Sequence, residues 1–175
     1  MIKVELIEKP SANDWLEVKR RALVTVGKIP VSEPTTKWKH DILRARHSPI
    51  RRLHFAFYIE CSYCESVHLC RHIHAQPYVS TQRNDRQSKY DRRKAPQDAM
   101  VSMIWDMNAE ELMTIANKRL CNLATEETRE IVQRMRNLVL TEYSEFKGLL
   151  EPYCVYWGRC QEMYPCNKKE GADNG

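Results

Sequence analysis

The sequence predicts an α/β (α+β) fold, a mixed sheet flanked by helices. Apolar residues alternate over 2–8 and again over 53–60, the signature of strands with one buried face. Helical spacing runs through 11–28 and 108–150, and Pro10, Gly27, Pro77 and Pro152 separate the periodic segments. With 175 residues, 42% hydrophobic and 29% charged, the chain has the size and composition of one ordered domain with its own core.

The first strand is IKVELIE, where Ile2, Val4 and Leu6 share a face until Pro10 ends it. A helix follows over SANDWLEVKRRALVTVGK, with Trp15, Val18 and Ala22 on one side and Gly27 as its stop. Residues 29–52 hold three prolines and little periodicity, which predicts a long basic loop. LHFAFYIE is the clearest strand, with Leu53, Phe55, Phe57 and Ile59 on one face. Ser62 and Glu65 form a capping-box pattern that opens a helix to about His74, and Pro77 forbids its continuation. YVSTQR is read as a short strand, residues 84–98 as a polar connection, and AMVSMIWDM as another strand or extended buried piece. Asn108 starts a helix carrying Leu112, Ile115, Arg119 and Leu123, and Thr125 starts a second running to about Leu150. The expected domain is 1–152, followed by a cysteine-bearing tail over 153–175.

Charge narrows the function. The net charge is +5, and between Arg71 and Lys94 seven Lys or Arg face two Asp, a balance suited to a phosphate-bearing ligand. A solvated basic surface is the competing reading. No apolar run is long enough to span a bilayer, and MIKVELIEKP lacks the apolar centre of a signal peptide, so a cytoplasmic protein is expected. Neither a dinucleotide-binding glycine fingerprint, nor a P-loop, nor a nucleophile elbow is present.

Three constellations hold the chemistry. His68, Arg71, His72 and Gln76 lie three or four residues apart, with Arg83 and Arg86 on the next element, and converging guanidinium forks match phosphate. Cys64, His68 and His72 have the spacing of ligands on one helical face, against the alternative of core and capping groups. Cys121, Cys154, Cys160 and Cys166 offer four thiols for zinc or an iron–sulfur cluster that would fix the tail, against the alternative of free thiols.

Three stretches together resemble a family. Arg71 and His72, followed by Ser80, Thr81 and Arg83, resemble the RHRxxSxNExSxRY signature of the flavin-dependent thymidylate synthases (thymidylate synthase complementing proteins). HSPIRRLHFAF at 47–57 is similar to that family's H-x-S/T-P-x-E-H-x-x-F-x-F segment, and NAEELMTIANKRL at 108–120 resembles its N-A-R-x-L…L-R helix. Arg51 and Arg52 stand where the family has its E-H pair, and Glu110 where it has arginine. The resemblance is to a short, divergent, phage-type member.

It implies methylation of dUMP to dTMP, with FAD as hydride carrier, methylenetetrahydrofolate as carbon donor and NADPH as reductant, in a homotetramer. His47, Ser48, Arg71, His72 and Asn108 would then contact FAD. Thr81, Arg83 and Arg119 would contact the pyrimidine deoxynucleotide, with Arg119 polarising it as the catalytic group. The alternative, from another class, is a non-catalytic nucleotide- or nucleic-acid-binding protein with a metal-clamped tail.

Overall fold

The computed structural model describes residues 2–30, 32–80, 91 and 94–166. Four strands, β1 (Lys3–Glu8), β2 (His54–Ser62), β3 (Gln76–Val79) and β4 (Met100–Asn108), form one sheet in the order β1-β2-β4-β3. The class is α+β as expected, but every pairing is antiparallel, so the sheet is not mixed. The two longest strands pair from His54 opposite Asn108 to Ser62 opposite Met100. Phe55, Phe57, Ile59 and Cys61 of β2 and Val101, Met103, Trp105 and Met107 of β4 fill the face that packs on helices. Burying each large apolar side chain there contributes roughly 1.5–3 kcal/mol. On the opposite face Ile104 and Tyr78, which pair across β4 and β3, stay exposed. Pro77 is accommodated because β3 is an edge strand, where a missing N–H costs no ladder bond.

Helix α1 (Ala12–Val24) begins with a complete capping box between Ser11 and Asp14 and buries Trp15 and Val18. The long loop expected over 29–52 is wrong in part: α2 (Thr36–Arg44) and a 3₁₀ turn (Ser48–Arg52) lie inside it. Thr35 caps α2, whose Ile42 and Leu43 are buried, a small apolar patch masked in the sequence by basic residues and flanking prolines.

Helix α3 (Tyr63–Leu69) is shorter than expected because the chain leaves it at Cys70 and turns His72 inward. Its first N–H groups are satisfied by the carbonyls of Ala99 and Gln97, at 2.9 and 3.0 Å. Helix α4 (Ala109–Arg119) is capped by Asn108 and α5 (Glu126–Glu142) by Thr125, both as expected. The expected run to Leu150 fails at Tyr143, whose backbone (φ −130°) is no longer helical. Phe146, Leu149 and Leu150 are buried through a 3₁₀ turn (Ser144–Phe146) and a bend at Gly148 (φ +76°). The tail opens with a single turn, α6 (Tyr153–Trp157), ended by Gly158 in the left-handed region. No helix among the described residues is long and apolar enough to cross a membrane.

Candidate functional site

Two elements bring the central residues together: the chain leaving α3, and the length of α4. His72 follows α3 in a turn held by its N–H on the Leu69 carbonyl (3.2 Å), and its ring packs edge-on against Trp105 at 6.0 Å between centroids. From α4, Arg119 donates through Nε to His72 Nε2 at 2.8 Å and through Nη2 to the His68 carbonyl at 3.0 Å. Glu111, two turns earlier on α4, places Oε1 3.3 Å from His72 Nδ1. An arginine can only donate, so Nε2 accepts, and a neutral ring then carries its proton on Nδ1, the side that faces Glu111.

The result is a relay, Glu111 to His72 to Arg119, inside the protein: the His72 and Glu111 side chains are only 6% and 7% exposed. Burial pulls the Arg119 pKa below the ordinary arginine value, the nearby Arg71 guanidinium pulls it further, and Glu65 opposes both. A guanidinium stays charged through such shifts. The relay uses two of its five N–H donors.

On another side of α4, Glu110, Thr114 and Asn117 share a face at spacings of four and three. Arg51 Nε donates to Glu110 Oε2 at 2.5 Å, so the two residues that reverse the family's charges at their positions pair with each other. Arg46 donates to Thr114 Oγ1 (3.1 Å) and Asn117 Oδ1 (2.5 Å), and its guanidinium lies 5.5 Å from the centroid of the Tyr156 ring. Its backbone is left-handed (φ +48°), unusual without glycine. This anchoring, with Ala109 N–H on the Leu53 carbonyl at 2.9 Å, sets the 47–52 turn beside the start of α4.

The expected residues therefore separate into groups. His72 and Arg119 meet directly, with Arg71 close enough to act on Arg119 electrostatically. His47 and Ser48 are exposed at the start of the 3₁₀ turn, and His47 makes no side-chain cap bond there. Asn108 spends its side-chain oxygen on the Glu111 N–H at 3.0 Å, capping α4. Thr81 and Arg83 lie outside the described residues.

Cys121, Cys154, Cys160 and Cys166 are all free thiols and do not close into a four-ligand set. Cys121, Cys154 and Cys166 share a neighbourhood with Glu162, but Gly158 turns the chain after α6 and leaves Cys160 exposed. Burial is the main cause that raises the Cys121 thiol pKa.

Sequence reasoning missed Glu111, Glu65 and Arg46. Glu111 had a signal: it stands four residues before Ile115 and eight before Arg119, so it follows the apolar stripe. Arg46 had none, because its strained backbone and its partners on α4 are tertiary facts.

Comparison with known proteins adds two findings. The family described as thymidylate synthase complementing protein matches residues 86–143, which hold β4, α4 and α5. A solved structure, a UMP/dUMP methylase PolB from Streptomyces cacaoi bound with 5-Br dUMP, superposes with a TM-score of 0.66 at 15% identity, covering 83% of this chain and 94% of that one. No curated protein sequence matches. The matched segment carries Arg119, and the fold of the methylase is shared along most of this chain's length.

Proposed function

We propose that the protein methylates a pyrimidine deoxynucleotide, dUMP to dTMP, as a flavin-dependent thymidylate synthase. The observation that carries this reading is Arg119: it lies within the matched segment and is held rigidly by His72 and the His68 carbonyl beside a second cation, Arg71. A guanidinium whose orientation is fixed before the ligand arrives polarises a pyrimidine carbonyl or pairs a phosphate without reorganising. Glu111 and His72 then act as positioning residues, and Arg119 as the group that touches the nucleotide.

FAD fits the chemistry of the donors available. Arg71 supplies a cation, the exposed His47–Ser48 turn supplies hydrogen-bonding groups, and Asn108 retains its amide N–H₂ after capping α4. When bound, FAD supplies the hydride chemistry, with methylenetetrahydrofolate and NADPH as co-substrates. The exposed sheet face around Ile104 and Tyr78 suits association of subunits, in keeping with a homotetramer.

The test is the visible spectrum of the protein purified without added cofactor, repeated after FAD is supplied and the excess removed. A flavin spectrum that shifts on adding dUMP, followed by tritium release from ring-labelled dUMP, is the expected result. A colourless protein that takes up no FAD and binds DNA with steep salt dependence overturns it in favour of a non-catalytic nucleic-acid-binding protein.

A further inference from the structure

Cys64, Glu65 and His68, all on α3, bring one ligating atom each to within 4.8 Å of one another. The three differ in burial: Cys64 is exposed, Glu65 is buried and His68 lies between. Spacing accounts for Cys64 and His68, four residues apart on one helical face. It does not account for Glu65, which as third helical residue would ordinarily turn back to the backbone N–H of Ser62.

Only half of that capping box forms: Ser62 Oγ accepts from the Glu65 N–H at 3.3 Å. The Glu65 carboxylate reaches instead across to the start of α5, where one oxygen accepts from the Thr125 hydroxyl at 2.9 Å and from the Thr128 hydroxyl. Both bonds fall on Oε2, so the carboxylate is oriented from the α5 side while one of its oxygens stays within 4.8 Å of the Cys64 sulfur and the His68 ring. Hydrogen bonds that orient a ligating side chain from behind are what built metal sites use. The backbone beneath is also fixed, by Ala99 and Gln97 at the first turn of α3 and by Arg119 on the His68 carbonyl.

We propose that Cys64, Glu65 and His68 form a binding site for a zinc-class divalent cation, with a fourth position open to water. One sulfur, one nitrogen and one oxygen suit borderline zinc and disfavour calcium or magnesium, which take oxygen ligands. The charges balance: Cys64 binds as thiolate and releases its proton to solvent, His68 binds neutral, and thiolate and carboxylate together offset the dication. His72, which sequence spacing alone would add to this set, is excluded because both its ring nitrogens belong to the Arg119 relay. The cation would tie α3 to the start of α5 through Glu65, independently of any flavin or nucleotide.

The experiment uses the full chain, reduced and stripped with chelator, titrated with cobalt(II) and back-titrated with zinc. One equivalent should give the intense visible bands of tetrahedral cobalt and a sulfur-to-cobalt charge-transfer band, both lost when zinc displaces the cobalt. Cys64→Ser should abolish the charge-transfer band, and His68→Gln should weaken binding by at least about tenfold. A triple tail variant, Cys121→Ser with Cys154→Ser and Cys166→Ser, should leave the spectrum unchanged. Circular dichroism confirms that each variant is folded; Cys64 is exposed, so its replacement removes no core packing. A charge-transfer band that survives Cys64→Ser or disappears in the tail variant, or a weak octahedral spectrum in the unmodified protein, overturns the proposal.

Discussion

Glu110 and Glu111 are neighbours on α4, and each meets a cationic or imidazole partner, yet they lie in different environments. Glu110 pairs with Arg51 at the surface, where the two side chains are 26% and 62% exposed. Glu111 pairs with His72 in the interior and, through it, with Arg119. Water and salt screen the first contact and compete for its groups, whereas the second has no substitute for a lost partner. One helix thus carries an adjustable surface contact on one side and a fixed buried contact on another, and only the fixed one sets the direction of the Arg119 guanidinium.

The largest expected break of this contrast is Arg119→Ala. If the relay exists to aim Arg119, nucleotide affinity should fall by about 1–3 kcal/mol, roughly fivefold to more than a hundredfold. Titration with dUMP measures it, and an affinity unchanged in both this variant and Arg83→Ala defeats the site assignment.

Stability separates the two glutamates. Glu111→Ala removes the carboxylate that faces the buried His72 ring and should cost about 1–3 kcal/mol in urea unfolding, with dUMP affinity falling as well. Rescue of the affinity, though not the full stability, by Glu111→Gln would show that orientation rather than charge matters, since the amide keeps a polar oxygen beside Nδ1. Equal losses in Glu110→Ala would erase the distinction between surface and interior.

A smaller effect comes from Tyr143, which donates to the Pro10 carbonyl at 2.7 Å and whose pKa is pushed up to about 12, mainly by burial. Cys61, buried in β2, is likewise raised to about 11 by burial. For both, the unfolded chain loses its proton first, so the folded state binds more protons and stability falls as pH rises. The Cys61 contribution is intact below about 9 and lost towards 11; the Tyr143 contribution is intact below about 10 and lost towards 12. Tyr143→Phe should lower stability at neutral pH by about 1 kcal/mol and flatten the upper part of the alkaline decline. A decline as steep as the parent's above pH 10 would assign it to other groups.

The smallest expected effect on stability is at the exposed turn. Replacing His47 or Ser48 by alanine should leave the urea midpoint where it is while weakening FAD uptake, because neither side chain supports the fold. Unchanged FAD uptake in both variants would remove this turn from the cofactor site.

Part of the molecule was decided by sequence alone. Alternation in β1 and β2, the caps at Ser11, Asn108 and Thr125, and the break between α4 and α5 are local: period and hydrogen-bonding partner lie within a few residues. The motif residues Arg71, His72 and Arg119 were legible as residue types in order along the chain. Tertiary structure decided what each of them touches. The sequence could not tell Glu111, which turns inward to a histidine 39 positions away, from Glu110, which turns outward to Arg51, nor exchange His72 for Glu65 beside Cys64 and His68. A side chain's partner across the fold depends on which face its helix buries and on what the neighbouring layer presents there, and no local pattern in the chain encodes both.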